Sequence, residues 1–200
     1  MNPFVSIHLQ ERLLLASASP RRREILKRLG FEFEVLPTNV NEDDVPWDDP
    51  VRATKLLAEF KAVEAQRFRP RKTIIAADTA VVCRGRRLGK PADAAEAAEM
   101  LAFLSGKDHE VITGIALVAP PNLRFIEAER TRVYFRGLDN SEIGRYVETD
   151  EPYDKAGAYA IQGLASAFVE RIEGCYFNVV GLPVPLLFSL LKRLELEIET

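Results

Sequence analysis

The stretch LASASPRR, residues 15–22, lies where a buried strand gives way to a helix. Residues 13–16 form an apolar run of the kind found in short buried strands. Ser19 is a favourable N-cap, and Pro20 is favourable at the first position of a helix. The sequence therefore predicts a strand over residues 13–16 and then a helix that ends at Gly30.

Two arginines, Arg21 and Arg22, stand in the first turn of this helix. That turn exposes backbone N–H groups, and the helix dipole adds partial positive charge there. Guanidinium groups beside those N–H groups make an anion receptor, for which phosphate is the natural ligand. A solvated basic turn, or one paired with a carboxylate of the chain, is the alternative interpretation. GRRLGKP at residues 85–91 is not a P-loop, because its glycines are one residue too close and proline replaces the magnesium-binding Ser or Thr.

The rest of the chain alternates between strand-like and helix-like segments. Further strands are predicted over residues 31–35, 73–77, 80–83, 109–119, 124–136 and 168–172. Further helices are predicted over residues 51–68, 94–104, 141–147 and 184–194. This alternation, with one long hairpin, predicts an α/β fold with a mixed sheet and flanking helices.

Composition limits the classes of protein to which the chain can belong. Its 200 residues, 47% of them hydrophobic, suit a single domain over residues 1–200, either with one sizeable core or with two lobes. We expect residues 1–12 to be a loose N-terminal segment. A net charge of −3 argues against a nucleic-acid partner. Two isolated cysteines indicate neither a disulfide framework nor a zinc site. We expect a cytoplasmic protein with no membrane association, because no signal-like or membrane-spanning stretch occurs.

Asp78 is the acid most suggestive of chemistry. It follows the apolar run IIAA of residues 74–77 and precedes Thr79, which places it at the end of a predicted buried strand. A poorly solvated carboxylate needs a metal, a cation or hydrogen bonds. Strand ends in open α/β sheets commonly line the ligand crevice. The alternative is an aspartate that accepts hydrogen bonds from turn N–H groups.

Other candidates carry weaker signals. Glu42, in the acidic segment NEDD, could join Asp78 on a magnesium ion or could lie in a solvated loop. Spacing alone predicts that Lys61 is a helix-surface lysine, whereas Lys90 is a more restrained cation in a turn. The two histidines, His8 and His109, have no motif partner, and we interpret them as ordinary surface or strand-end residues.

Several separated stretches resemble one family. LASASPRRREIL, IIAADTAVV, LGKPAD, LSGKDHEVITGIALV, EPYDKAGAYAIQG and IEGCYFNVVGLP occur in that order. From about residue 13 to residue 191 the chain resembles the Maf family of nucleotide pyrophosphatases. The resemblance implies two lobes around a cleft, a fold similar to that of inosine-triphosphate pyrophosphatase, and a homodimer. It also implies hydrolysis of a nucleoside triphosphate to the monophosphate and pyrophosphate with Mg²⁺ or Mn²⁺.

The resemblance also assigns roles to residues. Asp78 would be the general base or a metal ligand, and Glu42 would help to bind the metal. The residues that would contact the substrate are Ser17, Arg21, Arg22, Lys61, Thr79, Lys90 and Gln162. Among these, the serine and the two arginines would hold the triphosphate, and the two lysines would neutralise phosphate charge. Thr79 and Gln162 would contact the nucleotide and shape the choice of base.

Gln162 makes the chain similar to the branch that acts on dTTP, UTP and modified pyrimidine nucleotides in a house-cleaning role. An amide both donates and accepts, which suits the edge of thymine or uracil. A 7-methyl-GTP pyrophosphatase and a nucleotide-binding regulator of cell division are the alternatives.

Overall fold

A computed structural model describes residues 2–41 and 45–199. Its strands are β1 (Leu13–Leu15), β2 (Glu34–Val35), β3 (Thr73–Cys83), β4 (Arg86–Leu88), β5 (Asp108–Ala119), β6 (Leu123–Phe135) and β7 (Val169–Glu173). Its α-helices are α1 (Ile7–Gln10), α2 (Pro20–Arg28), α3 (Pro50–Phe68), α4 (Ala94–Leu104), α5 (Asn140–Val147), α6 (Tyr176–Val180) and α7 (Val184–Glu199). Within these described ranges, no helix combines the length and the apolar character that crossing a bilayer requires.

The described strands form a seven-stranded sheet of mixed direction. Hydrogen bonds join them in the order β2-β1-β3-β5-β6-β7, and β4 pairs with β3. β1 runs parallel to both β2 and β3, whereas the β3–β4 and β6–β7 pairs are antiparallel. The prediction of an α/β fold with a mixed sheet and flanking helices is confirmed.

The chain divides into two compact units. The first unit comprises Met1–Asp78, Thr113–Glu129 and Gly181–Thr200, and the second comprises Thr79–Ile112 and Arg130–Val180. In the first unit, a core of small and branched side chains includes Leu14, Ala58 and Val118. The core of the second unit is richer in aromatic and larger aliphatic side chains, among them Phe135 and Tyr159.

The opening stretch folds as the sequence predicts. Ser19 has an extended backbone, and its side chain accepts a hydrogen bond from the backbone N–H of Arg22 at 3.4 Å. Pro20 begins α2, and Gly30 follows the helix with a φ of 77°. A positive φ costs glycine little, so the chain can turn there and place Phe31 in the core.

Two strand predictions differ from the structure. The predicted strand over residues 31–35 is shortened to Glu34–Val35, because Phe31 N–H bonds the carbonyl of Leu26 and completes the end of α2. The predicted strand over residues 73–77 does not end at Asp78 but continues through it as β3 to Cys83. Asp78 therefore lies in the middle of a strand, and the prediction that it stands at a strand end is wrong.

Helix α3 lies close to the sheet of the first unit. Its inner face carries Ala58, Ala62 and Ala65, all fully buried in the core. Small side chains let the helix backbone approach a sheet closely, and a glycine on the sheet allows the same from the other side. A Cβ atom on Gly114 of β5 would lie 2.6 Å from the backbone nitrogen of Lys55, so this contact is between backbones.

The N-terminal segment, for which the sequence predicts a loose structure over residues 1–12, is packed where it is described. The Asn2 side chain donates to the Leu29 carbonyl at 2.7 Å, and the Gln10 amide donates to the carbonyls of Asn2 and Val5. The Phe4 ring contacts the Phe188 ring of α7 at a centroid distance of 6.3 Å. The Asn2 hydrogen bond and the Phe4 contact therefore tie this segment to the end of α2 and to α7.

The close approach of α3 yields a stability prediction. In Gly114→Ala, the new methyl group would overlap the backbone of Thr54 and Lys55, and α3 would have to move away. Overpacking a core costs about 1–3 kcal/mol, and we expect urea denaturation to show a loss of about 2 kcal/mol or more.

Gly144→Ala is the matched control for this substitution. A Cβ atom at residue 144 of α5 meets nothing within 4 Å, and alanine favours a helix over glycine by about 0.5–1 kcal/mol. This variant should be as stable as the wild type or more stable. Wild-type stability in Gly114→Ala would contradict the close contact between α3 and β5.

Candidate functional site

The loop between β1 and α2 holds a buried serine, Ser17, at the centre of a small hydrogen-bond network. Ser17 is 8% exposed. Its Oγ accepts from the Arg22 guanidinium at 3.1 Å and from the backbone N–H of Ser19 at 3.2 Å. The Arg22 Nε donates to the carbonyl of Gly181 at 2.8 Å. The fixed guanidinium and the first turn of α2 thus lie in one place, as an anion receptor requires.

A second cluster pairs α3 with β3. The Lys61 ammonium donates to Oδ1 of Asp78 at 2.5 Å, and the two side chains are 16% and 9% exposed. Lys61 projects toward the sheet because it lies one turn beyond Leu57 and next to Ala62, both on the buried face of α3. The prediction from spacing that Lys61 is a helix-surface lysine is therefore wrong.

The two clusters interact electrostatically. Burial lowers the pKa of Arg22 below its ordinary value, the charge of Asp78 opposes that effect, and the charge of Arg21 adds to it. A guanidinium remains protonated in proteins, so Arg22 is a poorly solvated cation held by directed hydrogen bonds. An anionic ligand would gain from such a cation because water screens it weakly.

The structure brings together Ser17, Arg22, Lys61 and Asp78 within the first unit. Arg21 is half-buried in the same turn of α2. Their predicted contacts with a triphosphate stay predictions. Glu42, the predicted second metal ligand, lies outside the described residues.

The other predicted site residues belong to the second unit. Thr79 is half-buried and follows Asp78 in β3, so the two side chains lie on opposite faces of the strand. Lys90 is exposed just after β4, and its neighbour Gly89 accepts a hydrogen bond from Gly157 N–H at 2.9 Å. Gln162 is exposed in a turn closed by a hydrogen bond from Gly163 N–H to the Ala160 carbonyl at 3.2 Å.

His109 proves to be a core residue. It is 2% exposed, and its Nε2 lies 2.7 Å from the hydroxyl of Tyr159. Burial lowers the pKa of His109 to about 4, so the ring is neutral at physiological pH. The interpretation of His109 as a strand-end residue is correct in position, since it is the second residue of β5, but the side chain is buried.

The sequence did not indicate two groups that hold predicted site residues or the backbone next to them. The Gly181 carbonyl receives the Arg22 side chain, and the Glu151 carboxylate binds the backbone after Gln162. Glycine before Leu-Pro, and glutamate before Pro-Tyr, carry no local pattern that indicates either partner. Both contacts join residues that are distant in sequence.

Asp78 suits a divalent cation bound together with a substrate. Magnesium is held in nucleotide-processing sites by one or two carboxylates plus phosphate oxygens and waters. A buried carboxylate already fixed by an ammonium could supply one such oxygen ligand. Over residues 2–41 and 45–199, no group of three or more His, Cys, Asp or Glu residues has metal-binding geometry.

The arrangement in the first unit can bind an oxyanion and hold a carboxylate beside it. Arg22 and the first turn of α2 supply positive charge and donors, and Ser17 orients the guanidinium. Asp78 supplies an acceptor for a proton or a ligand for a cation, and Lys61 fixes its orientation. These are the parts that attack of water on a phosphate ester or anhydride requires.

The ion pair gives a prediction for stability. In Lys61→Met, the buried Asp78 carboxylate loses its partner, and breaking such a pair from one side costs about 3–5 kcal/mol. We expect urea denaturation to show a loss near the lower end of that range. Lys61→Met/Asp78→Asn removes both charges and should recover at least half of the loss.

Arg28→Met is the control for the removal of a cation. Arg28 pairs with Glu24 at 2.8 Å, but the side chains are 73% and 55% exposed, so little change is expected. A single variant Lys61→Met as stable as Arg28→Met would show that the contact with Asp78 contributes nothing.

The chain matches known proteins along nearly its whole length. Residues 12–194 match the family model described as Maf-like protein. A dTTP/UTP pyrophosphatase of Syntrophomonas wolfei subsp. wolfei is 48% identical over 180 residues, which cover 90% of this chain and 95% of that protein. A dTTP/UTP pyrophosphatase of Pelotomaculum thermopropionicum is 47% identical over 182 residues, 90% and 95% of the two chains.

A solved structure supports the fold. The Staphylococcus aureus Ham1 protein is 14% identical and aligns with a TM-score of 0.51 over 90% of this chain and 97% of that one. At this identity the likeness concerns the fold alone. The family match and the two relatives confirm the resemblance seen in the sequence, and the chain belongs to the Maf family.

Proposed function

We propose that this protein hydrolyses dTTP and UTP, and modified pyrimidine nucleotides, to the nucleoside monophosphate and pyrophosphate. The observation that carries the proposal is the cluster of Ser17, Arg22, Lys61 and Asp78, which places a buried carboxylate near a half-buried guanidinium. The relatives named dTTP/UTP pyrophosphatase support the choice of substrate, since each aligns over 90% of this chain.

Binding of the triphosphate is assigned to Ser17, Arg21 and Arg22. The backbone N–H groups in the first turn of α2 and the Arg22 guanidinium would meet the phosphate oxygens. Ser17 and the Gly181 carbonyl hold that guanidinium in a single direction, so little side-chain freedom is lost when the substrate binds.

Attack by water is assigned to Asp78. Its carboxylate would accept a proton from the water as the water approaches phosphorus in line with the leaving pyrophosphate. Lys61 keeps the carboxylate in one orientation at 2.5 Å and contributes positive charge where the phosphates gain negative charge. Lys90 would neutralise further charge on the leaving group.

A divalent metal ion, Mg²⁺ or Mn²⁺, completes the proposal. Asp78 would hold it, together with Glu42. Such an ion, when bound, neutralises phosphate charge and polarises phosphoryl oxygens.

Selection of the base is assigned to Thr79 and Gln162. The Gln162 amide offers a donor and an acceptor, which match the mixed edge of thymine or uracil. A 7-methyl-GTP pyrophosphatase is the less favoured alternative, because guanine would suit a carboxylate at this position. A cytoplasmic homodimer, and any role in cell division, stay predictions.

Release of pyrophosphate by the purified protein tests this proposal. The nucleotides are dTTP, UTP, CTP, GTP, 7-methyl-GTP and ITP, each with Mg²⁺ or Mn²⁺. We expect dTTP and UTP to be the best substrates, and Asp78→Asn to lower kcat by about a thousandfold because the proton acceptor is lost.

Asp108→Asn is the matched control, since Asp108 is an exposed carboxylate paired with Arg132 at 3.6 Å. It should keep the wild-type rate. Preference for 7-methyl-GTP would overturn the assignment of the substrate, and full activity of Asp78→Asn would overturn the assignment of the base.

A further inference from the structure

The turn that carries Gln162 is held by a glutamate to which the proposed function assigns no role. Glu151 is half-buried in the second unit, just after α5. Its Oε2 accepts from Leu164 N–H at 2.8 Å, and its Oε1 accepts from Ala165 N–H at 3.1 Å. One carboxylate therefore fixes the backbone immediately after the turn at residues 160–163.

Gly163 is shaped to admit this carboxylate. A Cβ atom at residue 163 would lie 2.5 Å from Oε1 of Glu151, and it would be closer still to Oε2. Its φ of −109° is open to any residue, so the feature that distinguishes this position is the Glu151 carboxylate, which a side chain at residue 163 would displace. The Glu151 carboxylate therefore occupies the space that a side chain at residue 163 would fill.

Tyr146 also holds the Glu151 carboxylate. Its hydroxyl donates to Oε1 of Glu151 at 3.0 Å. Burial is the main cause that raises the pKa of Tyr146. The phenol stays protonated at neutral pH and so remains a donor. Tyr146 thus helps to hold the Glu151 carboxylate against the backbone N–H groups of residues 164 and 165, just after Gln162.

The Gln162 side chain is exposed. The position from which it extends is therefore set by the backbone of the turn at residues 160–163. A misplacement of about 1 Å in a recognition group is enough to change selectivity strongly. We propose that Glu151, acting with Tyr146, is a positioning residue that fixes the turn carrying Gln162 and thereby sets the discrimination between thymine or uracil and other bases. This inference rests on the proposed function for its substrate class.

The test compares kcat/KM for dTTP with kcat/KM for CTP in a set of variants. Glu151→Gln keeps the size of the side chain but replaces one oxygen by an NH₂ group, so a backbone N–H would face another donor. We expect the dTTP-to-CTP ratio to fall about tenfold in Glu151→Gln. Gln162→Ala should lower the ratio as well, and adding Glu151→Gln to it should lower the ratio no further, because Glu151 acts through Gln162.

Two further variants separate positioning from folding. Tyr146→Phe removes the hydroxyl and keeps the ring, which packs on Phe168 at a centroid distance of 5.1 Å, and it should lower the ratio in the same direction. Glu148→Gln removes an exposed carboxylate nearby and should leave the ratio unchanged. Circular dichroism and thermal unfolding identify the variants that fold, and Tyr146→Phe carries the test if Glu151→Gln does not fold.

Hydrogen exchange gives a readout that does not depend on activity. The amides of Leu164 and Ala165 should exchange about tenfold faster in Glu151→Gln than in the wild type. Three results would each overturn the inference. They are unchanged exchange of the two amides, an unchanged dTTP-to-CTP ratio in folded variants, and a loss in that ratio from Glu151→Gln that is equal whether residue 162 is Gln or Ala. A wild-type protein that hydrolyses no nucleoside triphosphate would overturn the proposed function, and the role in base selection with it. If the wild type prefers dTTP and the Glu151→Gln variant keeps this preference, the inference is overturned but the proposed function is not.

Discussion

The ion pair between Lys61 and Asp78 is the constraint on which the arrangement of the first unit depends. A carboxylate in the middle of a buried strand is unfavourable unless a cation or hydrogen bonds satisfy it. A lysine on α3 satisfies it at 2.5 Å only because the helix lies close to the sheet. That closeness in turn requires the alanines on the inner face of α3 and Gly114 on β5. The small residues of this core therefore help to place the two charged side chains of the candidate site.

The two units fix their proposed functional groups in different ways. In the first unit, charged side chains are held by other side chains and by one carbonyl, as Arg22 is by Ser17 and Gly181. In the second unit, the backbone of a loop is held, and the side chain of Gln162 is left exposed above it. The first arrangement suits binding and reaction of a phosphate chain, which needs fixed charges. The second suits recognition of a base, which needs a hydrogen-bonding edge in a fixed direction.

Local sequence patterns predicted the features that depend on neighbouring residues, such as where helices begin. The N-cap Ser19 and the proline after it fixed the start of α2, and periodic apolar residues placed α3 to within one residue of its observed start. The strand through Asp78 was divided in two because a charged residue within an apolar run was interpreted as an end. Lys61, 17 residues away, supplies the partner that lets the strand continue.

Local patterns could not predict contacts between segments that are distant in the sequence. Helical spacing could not show that Lys61 faces the sheet, since the alanines around it are as compatible with an exposed face as with a buried one. Glu151 gave no signal because its partners are backbone N–H groups 13 and 14 residues away. The family resemblance supplied roles for Lys61 and Gln162 that spacing did not, and the structure adds a physical reason for the place of each.

A crystal structure of the Asp78→Asn variant with dTTP and Mg²⁺ tests the central claim most directly. Because the substitution slows cleavage, a short soak should capture the nucleotide before it is cleaved. The account predicts triphosphate oxygens within hydrogen-bond distance of the Arg22 guanidinium and of N–H groups in the first turn of α2, with residue 78 beside the phosphorus that water attacks. A triphosphate bound elsewhere, with no phosphate oxygen within hydrogen-bond distance of Arg22, would contradict it.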